Sequence, residues 1–334
     1  MRQNSAQPAV SIIVPIFNEE ENLPHLYGEV AAALEGWRPD FELILIDDGS
    51  QDRSWTVIEE LCKRDPRVKG VRFRGNFGQT AAVSAGFDLA EGELMVTMDG
   101  DLQNDPADIP ALAESMERRD LDLVNGWRFH RKDPFLNRRL PSMIANGLIS
   151  LITGVKLHDY GCSLKVYRKE IAKDLKLYGE QHRFIPALAS LEGAKVGEEK
   201  VNHRARRFGK SKYGISRTFR VVLDLITVKF LQNYSTKPLR IFGSFGLLTG
   251  GLGLVLGCYL AYVRLILQEG IAGRPLLFLA MLLLFLGVQF ISLGLLGEMM
   301  ARTYHESAHR RIYRIKSLLN GTGRSAEGAP SQGE

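Results

Sequence analysis

Short apolar runs alternate with amphipathic segments along the first part of the chain, up to Asn125. Each run has the length and composition of a buried strand, and the segments between them have the periodicity of helices. The predicted strands are Val10–Pro15, Phe41–Ile46, Val68–Phe73, Leu94–Met98 and Leu121–Asn125. The predicted helices are one capped by Asn18, with Glu19, Glu20 and Glu21 in its first turn, then Ser54–Arg64, Gly78–Ala90 and Pro106–Arg119. This alternation predicts an α/β domain with a mostly parallel sheet and helices on both faces.

Two much longer apolar segments follow, from Ile241 to Val263 and from Pro275 to Gly297, and neither contains a charged residue. As a helix, each would be about 34 Å long, enough to cross a bilayer core of about 30 Å. Both flanks of this pair are rich in Lys and Arg, whereas the connecting loop is not, so the positive-inside rule places both flanks in the cytoplasm. The pattern predicts a multi-pass protein of the inner (cytoplasmic) membrane with its soluble domain and both termini cytoplasmic.

The remaining segments complete a division of the chain into five parts. Residues 137–153 and 216–234 are predicted to form basic amphipathic helices, suited either to a core or to a membrane interface. The predicted parts are a disordered lead at 1–8, a cytoplasmic α/β domain at 9–215, a juxtamembrane amphipathic helix at 216–238, a two-helix transmembrane domain at 239–300, and a cytoplasmic tail at 301–334 that is disordered after about residue 317.

Composition narrows the functional classes. The 334 residues carry a net charge of +5, concentrated around the apolar segments, which favours a membrane surface over nucleic acid as the partner. The three cysteines are far apart in sequence, so neither a zinc site nor a disulfide framework is expected. Glycines crowd the first apolar segment, where close helix packing explains them.

Acidic turns stand where predicted strands end. Asp47-Asp48 follows the second strand, and Asp99-Gly100-Asp101-Leu102-Gln103 follows the fourth, ahead of a helix start with Asp105 at its N-cap. In parallel sheets, ligands bind beyond the carboxyl ends of the strands. Carboxylate and amide oxygens suit a hard divalent cation, so this edge is a candidate Mg²⁺ or Mn²⁺ site.

These turns belong to a series of motifs that resembles a known family. The series comprises Pro15-Ile16-Phe17-Asn18-Glu19, Asp47-Asp48-Gly49-Ser50, Asn76-Phe77-Gly78-Gln79, Asp99-Gly100-Asp101-Leu102-Gln103, Asp159-Tyr160-Gly161-Cys162 and His203-x-x-Arg206-x-x-Gly209-x-Ser211-Lys212-Tyr213. In this order and spacing the chain, from about Val10 to the end of the second apolar segment, resembles glycosyltransferase family 2 enzymes with the GT-A fold. Within them, it is most similar to the polyprenyl-phosphate glycosyltransferases, which include bactoprenol glucosyltransferases and dolichol-phosphate mannose synthases.

The resemblance implies roles for individual residues. The base and ribose pocket would be lined by Pro15, Phe17, Glu19 and Asp47, with Asp48 supporting it. The donor's diphosphate and its metal ion would be held by Asp99, Asp101 and Gln103. Catalysis would depend on Asp101 and on Asp159, the acidic residue near the acceptor. Phosphates of the donor or of the lipid would be bound by His203, Arg206, Ser211 and Lys212.

Two positions depart from the family pattern. The family often has Tyr where this chain has Phe17, and an Arg where it has Gly75, with Arg74 one position earlier. The nucleotide contacts of that hydroxyl and that guanidinium are therefore in question.

The resemblance implies an inverting transfer from a nucleotide sugar to a polyprenyl phosphate. UDP-hexose, with UDP-glucose first, and undecaprenyl phosphate are the expected substrates. The alternatives are a GDP-mannose-dependent mannosyltransferase, an aminoarabinose transferase to undecaprenyl phosphate, a processive polysaccharide synthase and a non-catalytic scaffold that binds sugar nucleotides. Against a processive synthase, the stretch that would match Gln-x-x-Arg-Trp has Glu180 and Phe184. The glycine-rich span and the family's habit favour a homo-oligomer, with a tetramer as one form.

Overall fold

A computed structural model describes residues 8–129, 147, 149–150, 153–177, 179, 181–205, 238–271, 273–307 and 312–321. The chain divides into two compact units, one of residues 1–226 together with 311–334 and one of residues 227–310. In the described residues, the first unit contains one sheet with its helices, and the second contains two long helices.

The sheet of the first unit has eight strands in the order β7-β5-β6-β4-β1-β2-β3-β8. The strands are β1 Val10–Ile16, β2 Phe41–Asp47, β3 Val68–Phe73, β4 Leu94–Thr97, β5 Leu123–Arg128, β6 Lys165–Arg168, β7 Val196–Val201 and β8 Ile315–Leu319. The helices are α1 Leu23–Glu35, α2 Ser54–Arg64, α3 Gln79–Leu89, α4 Ile109–Arg118, α5 Lys169–Asp174 and α6 Ile185–Leu191, and single 3₁₀ turns cover Pro106–Asp108 and Gln181–Arg183. The predicted α/β class with a mostly parallel sheet is confirmed.

The centre of the sheet, β4-β1-β2-β3, is parallel throughout. All seven residues of β2 are buried, as a strand covered by helices on both faces requires. The register pairs Ile16 with Asp47, so β1 and β2 end side by side. Beyond β4 the sheet becomes mixed, because β6 is antiparallel to both β4 and β5, while β5 and β7 are parallel.

Several element boundaries differ from the prediction. The helix after β1 begins at Leu23, since Asn18 has a left-handed backbone (φ 56°) and its side chain accepts a hydrogen bond from Gln51 N instead of capping a helix. The fifth strand begins at Leu123 and continues to Arg128, beyond the predicted end. Asp105 is confirmed as an N-cap, because its side chain accepts a hydrogen bond from Ala107 N.

The prediction of disorder after about residue 317 is wrong for the residues up to Leu319. They belong to β8, which pairs antiparallel with β3 and covers its outer edge. The apolar Leu318 and Leu319 pack on the two faces of the sheet. The prediction missed them because the residues that follow are rich in Gly and Ser. Residues 216–237 of the predicted juxtamembrane helix at 216–238, most of the predicted amphipathic helix at 137–153 and the last residues of the tail lie outside the described residues.

The second unit contains α7 Pro238–Leu265 and α8 Pro275–Ser307. Within them, Phe242–Leu265 and Pro275–Gly297 are long and apolar enough to cross a membrane. The two helices approach closely at glycines, since a methyl group on Gly287 would lie 2.6 Å from the Gly250 Cα. Gly246 and Gly253 face the same helix, at Ile291 and Leu284 respectively. Close packing therefore accounts for three of the glycines in the first apolar segment.

Candidate functional site

The first part of the candidate site is a buried carboxylate at the end of β2. Asp47 is fully buried, and its Oδ1 accepts a hydrogen bond from Ser50 N at 2.9 Å. Its Oδ2 accepts no hydrogen bond from the described residues and lies 3.4 Å from Arg72 Nε, in an ion pair. A buried carboxylate oxygen that is only loosely paired can accept a hydrogen bond from a ligand's N–H or O–H group.

Hydrogen bonds between the loops after β1 and β2 hold this carboxylate in place. Asn18 N donates to Ser50 Oγ at 3.0 Å, and Glu19 N donates to Ser54 Oγ at 2.9 Å. Pro15, Phe17 and Glu19 are all partly exposed along this seam. The structure therefore brings together Asp47 and the motif after β1, as the resemblance requires.

Asp48 binds backbone rather than pointing to an open pocket. Its two oxygens accept hydrogen bonds from Phe77 N at 2.6 Å and Gly78 N at 2.9 Å. Burial raises the pKa of this carboxyl group, while the two amide donors oppose the rise. Gly49, at φ 76°, lets the next turn approach closely, because a Cβ there would lie 2.7 Å from the carbonyl carbon of Gly75. Asp48 thus supports the loop that carries the Asn76–Gln79 motif.

The predicted metal-binding motif, Asp99 to Gln103, forms a tight turn after β4. Leu102 adopts a left-handed backbone at φ 61°, an uncommon conformation for a branched residue. The turn places Gln103 against Asp101, with Gln103 Nε2 2.7 Å from Asp101 Oδ2 and Gln103 N 3.2 Å from Asp101 Oδ1. The side chains of Asp101 and Gln103 therefore lie on one side of the turn.

Asp99 completes this group. Gln79 Nε2 donates to Asp99 Oδ1 at 2.7 Å, which links the loop before α3 to the acidic turn. Burial and the nearby charge of Asp101 raise the pKa of Asp99, because two carboxylates in a desolvated site repel each other.

This donor set fits a hard divalent cation. Two carboxylates with an unfavourable mutual charge and one amide oxygen are the ligands that Mg²⁺ and Mn²⁺ prefer. In the part of the chain that the structure describes, no group of three His, Cys, Asp or Glu side chains surrounds a common point. Oxygens of a bound diphosphate would therefore have to complete the coordination shell.

The predicted catalytic Asp159 is locked in a buried ion pair. Arg128 Nε and Nη2 donate to its two oxygens at 2.6 and 2.9 Å, and Gly161 N donates to Oδ1 at 3.2 Å. Asn125 Nδ2 fixes the backbone by donating to the Asp159 carbonyl oxygen at 2.8 Å. The carboxylate raises the pKa of Arg128 further above its usual range. A carboxylate engaged in this way is suited to positioning, and poorly suited to accepting a proton.

A buried lysine lies in the same region. Lys165, on β6, is 3% exposed, and its ammonium group donates to the Cys162 carbonyl oxygen. Burial lowers its pKa, and the charges of Asp159 and Asp99 oppose that change. Burial also raises the pKa of the Cys162 thiol, which disfavours a thiolate nucleophile there.

The chain that leads into the basic motif runs beside the acidic turn. His203 forms an isolated antiparallel bridge with Asn104, and Arg204 N donates to the Gln103 carbonyl oxygen at 2.9 Å. The start of the basic motif is thus next to the acidic turn after β4. Arg206, Ser211 and Lys212 lie outside the described residues.

Sequence reasoning missed three residues of this site. The predicted fifth strand ends at Asn125, so Arg128 lies in a loop in that prediction, whereas β5 extends to Arg128 in the structure. Lys165 interrupts an apolar stretch on β6, a signal that pointed to a buried charge but not to its partners. Gln79 belongs to a recognised motif, yet its bond to Asp99 depends on how α3 packs against β1 and β2.

Comparison with known proteins yields one family and two groups of relatives. The model of "Glycosyl transferase family 2" matches residues 11–176. The dodecaprenyl-phosphate galacturonate synthase of Rhizobium johnstonii is 48% identical over 314 residues, which cover 93% of this chain and 93% of that protein. The undecaprenyl-phosphate 4-deoxy-4-formamido-L-arabinose transferase of Shewanella sediminis is 38% identical over 324 residues and 96% of each chain.

Solved structures share the fold. Glucosyl-3-phosphoglycerate synthase of Mycobacterium tuberculosis, in complex with Mn²⁺ and UDP-glucose, superposes with a TM-score of 0.53 at 16% identity. The match covers 68% of this chain and 79% of that one. At this identity the likeness concerns the fold alone, and it confirms the predicted GT-A architecture.

Proposed function

The chain belongs to glycosyltransferase family 2, and we propose that it transfers a sugar from a nucleotide diphosphate sugar to the phosphate of a polyprenyl phosphate. The observation that carries this proposal is the identity of 48% to a dodecaprenyl-phosphate galacturonate synthase across 93% of both chains. A match of that extent includes the two apolar helices as well as the sheet. The second group of relatives acts on undecaprenyl phosphate, so a polyprenyl phosphate acceptor is common to both.

The same comparison supports a proposal for the sugar. The sequence alone favoured UDP-glucose, whereas the names of the relatives specify galacturonate at 48% identity and 4-deoxy-4-formamido-L-arabinose at 38%. We therefore place a UDP-linked galacturonate first, ahead of the formamido-arabinose donor, UDP-glucose and GDP-mannose. A sugar that carries a carboxylate favours a pocket with a cationic group. Lys165 is a buried cation near Asp99, and Arg128 is a second one that is already paired with Asp159.

The residues divide the work of the reaction. Asp47, Pro15, Phe17 and Glu19 receive the nucleoside, and Asp48 holds the neighbouring loop. Asp99, Asp101 and Gln103 would hold Mg²⁺ or Mn²⁺ on the diphosphate, where such an ion stabilises the charge of the departing group. His203, Arg206, Ser211 and Lys212 are proposed to bind phosphates, a role supported by the bridge between His203 and Asn104.

Little proton chemistry is required of the protein. The acceptor is a phosphate monoester with a second pKa of about 6, so it is already largely a dianion at neutral pH. Asp159 and Arg128 can then act by positioning the acceptor or the sugar for a single in-line displacement with inversion. The bidentate ion pair of Asp159 supports this assignment.

The membrane location follows from the two apolar helices and the basic residues that flank them. We propose a multi-pass protein of the inner membrane, with the catalytic unit and both termini on the cytoplasmic side. Assembly into a homo-oligomer stays a prediction.

A donor screen tests the function. The full-length protein in liposomes containing undecaprenyl phosphate and Mn²⁺ is incubated with labelled UDP-galacturonate, UDP-glucose or GDP-mannose, and chloroform-extractable label is measured. Label from UDP-galacturonate is expected. Label from UDP-glucose alone would restore the first assignment from sequence, and binding of nucleotide sugars without any transfer would support the scaffold alternative.

A further inference from the structure

The chain returns to the sheet after α8. Residues 312–321 belong to the same compact unit as β1 to β7, although the whole two-helix unit separates them in sequence. β8 pairs with β3 from Gly70 opposite Leu319 to Phe73 opposite Ile315. The edge of β3 is thereby closed, so the sheet that presents the site is completed by a segment from beyond the second apolar helix.

The two ends of residues 312–321 contact opposite ends of β3. At the end of β8, Leu319 packs on Gly70, and Asn320 Nδ2 donates to the carbonyl oxygens of Cys62 and Val68 at 2.7 and 2.9 Å. These contacts lie at the amino end of β3, away from the candidate site. They anchor the strand and touch no residue proposed to bind substrate.

The beginning of the segment lies at the other end of β3, where the site is. Tyr313 is 4% exposed, and its ring stacks on Phe73 with the centroids 5.2 Å apart and the planes 14° apart. Its hydroxyl group donates to Asp88 on α3, and Arg74 N donates to the Arg314 carbonyl oxygen at 2.9 Å. Tyr313 therefore joins the end of β3 to α3.

A short series of contacts continues from this ring to the candidate nucleotide pocket. The Phe73 ring meets the Phe77 ring edge to face, with centroids 5.7 Å apart. Phe77 N is one of the two donors that bind the Asp48 carboxylate, which follows the buried Asp47. The loop between β3 and α3 is thus held from one side by Asp48 and from the other by aromatic packing.

We propose that Tyr313 is a positioning residue for nucleotide binding: through Phe73 and Phe77 it fixes the loop that Asp48 binds. This inference rests on the proposed function, since it assigns the loop to a nucleotide pocket. It also means that the pocket depends on a residue that follows both apolar helices in sequence.

The test compares two ends of one segment in the full-length protein. Tyr313→Leu removes the stacked ring, Tyr313→Phe keeps it, and Leu319→Ala is the matched control at the far end of β8. Hydrogen exchange of the Phe77 and Gly78 amides is measured without ligand, and binding of UDP with Mn²⁺ is measured by calorimetry. Because Tyr313→Leu removes the ring that stacks on Phe73, we expect faster hydrogen exchange at the Phe77 and Gly78 amides and a Kd for UDP that is about tenfold higher.

Tyr313→Phe is expected to restore UDP affinity to within about threefold of the wild type, because the ring contact is retained. In the transfer assay, Tyr313→Leu is expected to raise KM for the donor with little change in kcat, whereas Leu319→Ala changes neither. Unaltered exchange and affinity in Tyr313→Leu, or equal effects of Leu319→Ala, would overturn the inference. If the wild-type protein bound no UDP, the proposed function would fail and this assignment with it, whereas the exchange data would still report whether Tyr313 holds the loop.

Discussion

The two halves of the sheet build their share of the site in different ways. In the parallel half, β4-β1-β2-β3, acidic side chains stand directly after the strands, and Asp47, Asp48 and Asp101 are each held by backbone N–H groups. In the mixed half, β6-β5-β7, the corresponding groups depend more on side chains: Asp159 forms a bidentate ion pair with Arg128 besides its longer hydrogen bond from Gly161 N, and Lys165 is buried. A group held by backbone donors keeps its place when one side chain changes. A buried ion pair does not, because removal of one partner leaves the other charge uncompensated.

The largest effect is expected from the acidic turn of the parallel half. Asp101→Ala removes a carboxylate from the proposed diphosphate–metal site and the partner of Gln103, so transfer should fall by about 10³-fold. Asp120→Ala is the matched control, since Asp120 is an exposed acid that is paired with Lys195 on the same domain. Label transferred to the lipid measures both variants, and an Asp101→Ala rate near that of the control would remove this turn from the mechanism.

The next effect tests the ion pair of the mixed half. Asp159→Asn should lower the transfer rate by about 10²-fold while the shape of the pH–rate profile is retained, because the carboxylate positions and does not accept a proton. Arg128→Lys keeps the charge but loses the two parallel hydrogen bonds, so a comparable loss is expected. The rates are measured across pH 5 to 9, roughly the range in which a carboxylate base with a raised pKa would reveal itself. If the pH–rate profile of the wild type had a basic limb that Asp159→Asn lacked, Asp159 would be identified as a general base.

The same contrast explains what could be predicted from the sequence. In a parallel sheet the carboxyl ends of neighbouring strands meet at one edge, so the positions of Asp47 and Asp99 after two predicted strands are enough to assign them to one site. Beyond β4, the antiparallel β6 brings Lys165 back beside Asp99, and no local pattern indicates that return. The Asp159 motif was recognised, yet its bond to Arg128 depends on where β5 ends.

The closing strand shows a similar limit. An edge strand forms because it pairs with a strand that is distant in sequence. The apolar residues of β8 stand between the second apolar helix and a Gly-rich tail, so their own neighbours in sequence do not indicate a strand. The composition of the tail therefore indicated disorder. In the structure, β8 is ordered because it pairs with the edge of β3 that would otherwise be unpaired.

A smaller effect is expected from the close approach in the parallel half. Gly49→Ala places a Cβ near the Gly75 backbone and forces a left-handed conformation on a residue that disfavours it, at a cost of about 1–3 kcal/mol. Thermal unfolding of the first unit, with and without UDP, should show a lower midpoint and weaker protection by the nucleotide. Gly28→Ala in α1 is the control, because nothing lies within 4 Å of its Cβ position, and an Ala in a helix should raise the midpoint. If Gly49→Ala left the midpoint unchanged or raised it as Gly28→Ala is expected to do, the turn at Gly49 would not be strained.

The smallest effect concerns the position where this chain departs from its family. A Cβ at Gly75 would meet nothing within 4 Å, and its φ is not in the left-handed region, so Gly75→Arg should fold normally. In the wild type, Arg74 is exposed, and it is Arg72 that lies against Asp47. If Arg72 already supplies the cation beside the nucleotide pocket, a second guanidinium at residue 75 should change the KM for the donor by no more than about twofold, as for most surface substitutions. Arg72→Gln provides the comparison, since it should raise KM in the wild type and less in the Gly75→Arg background. A large gain in donor affinity from Gly75→Arg alone would contradict this expectation. It would show that the wild-type nucleotide pocket lacks a contact that an arginine at residue 75 can supply.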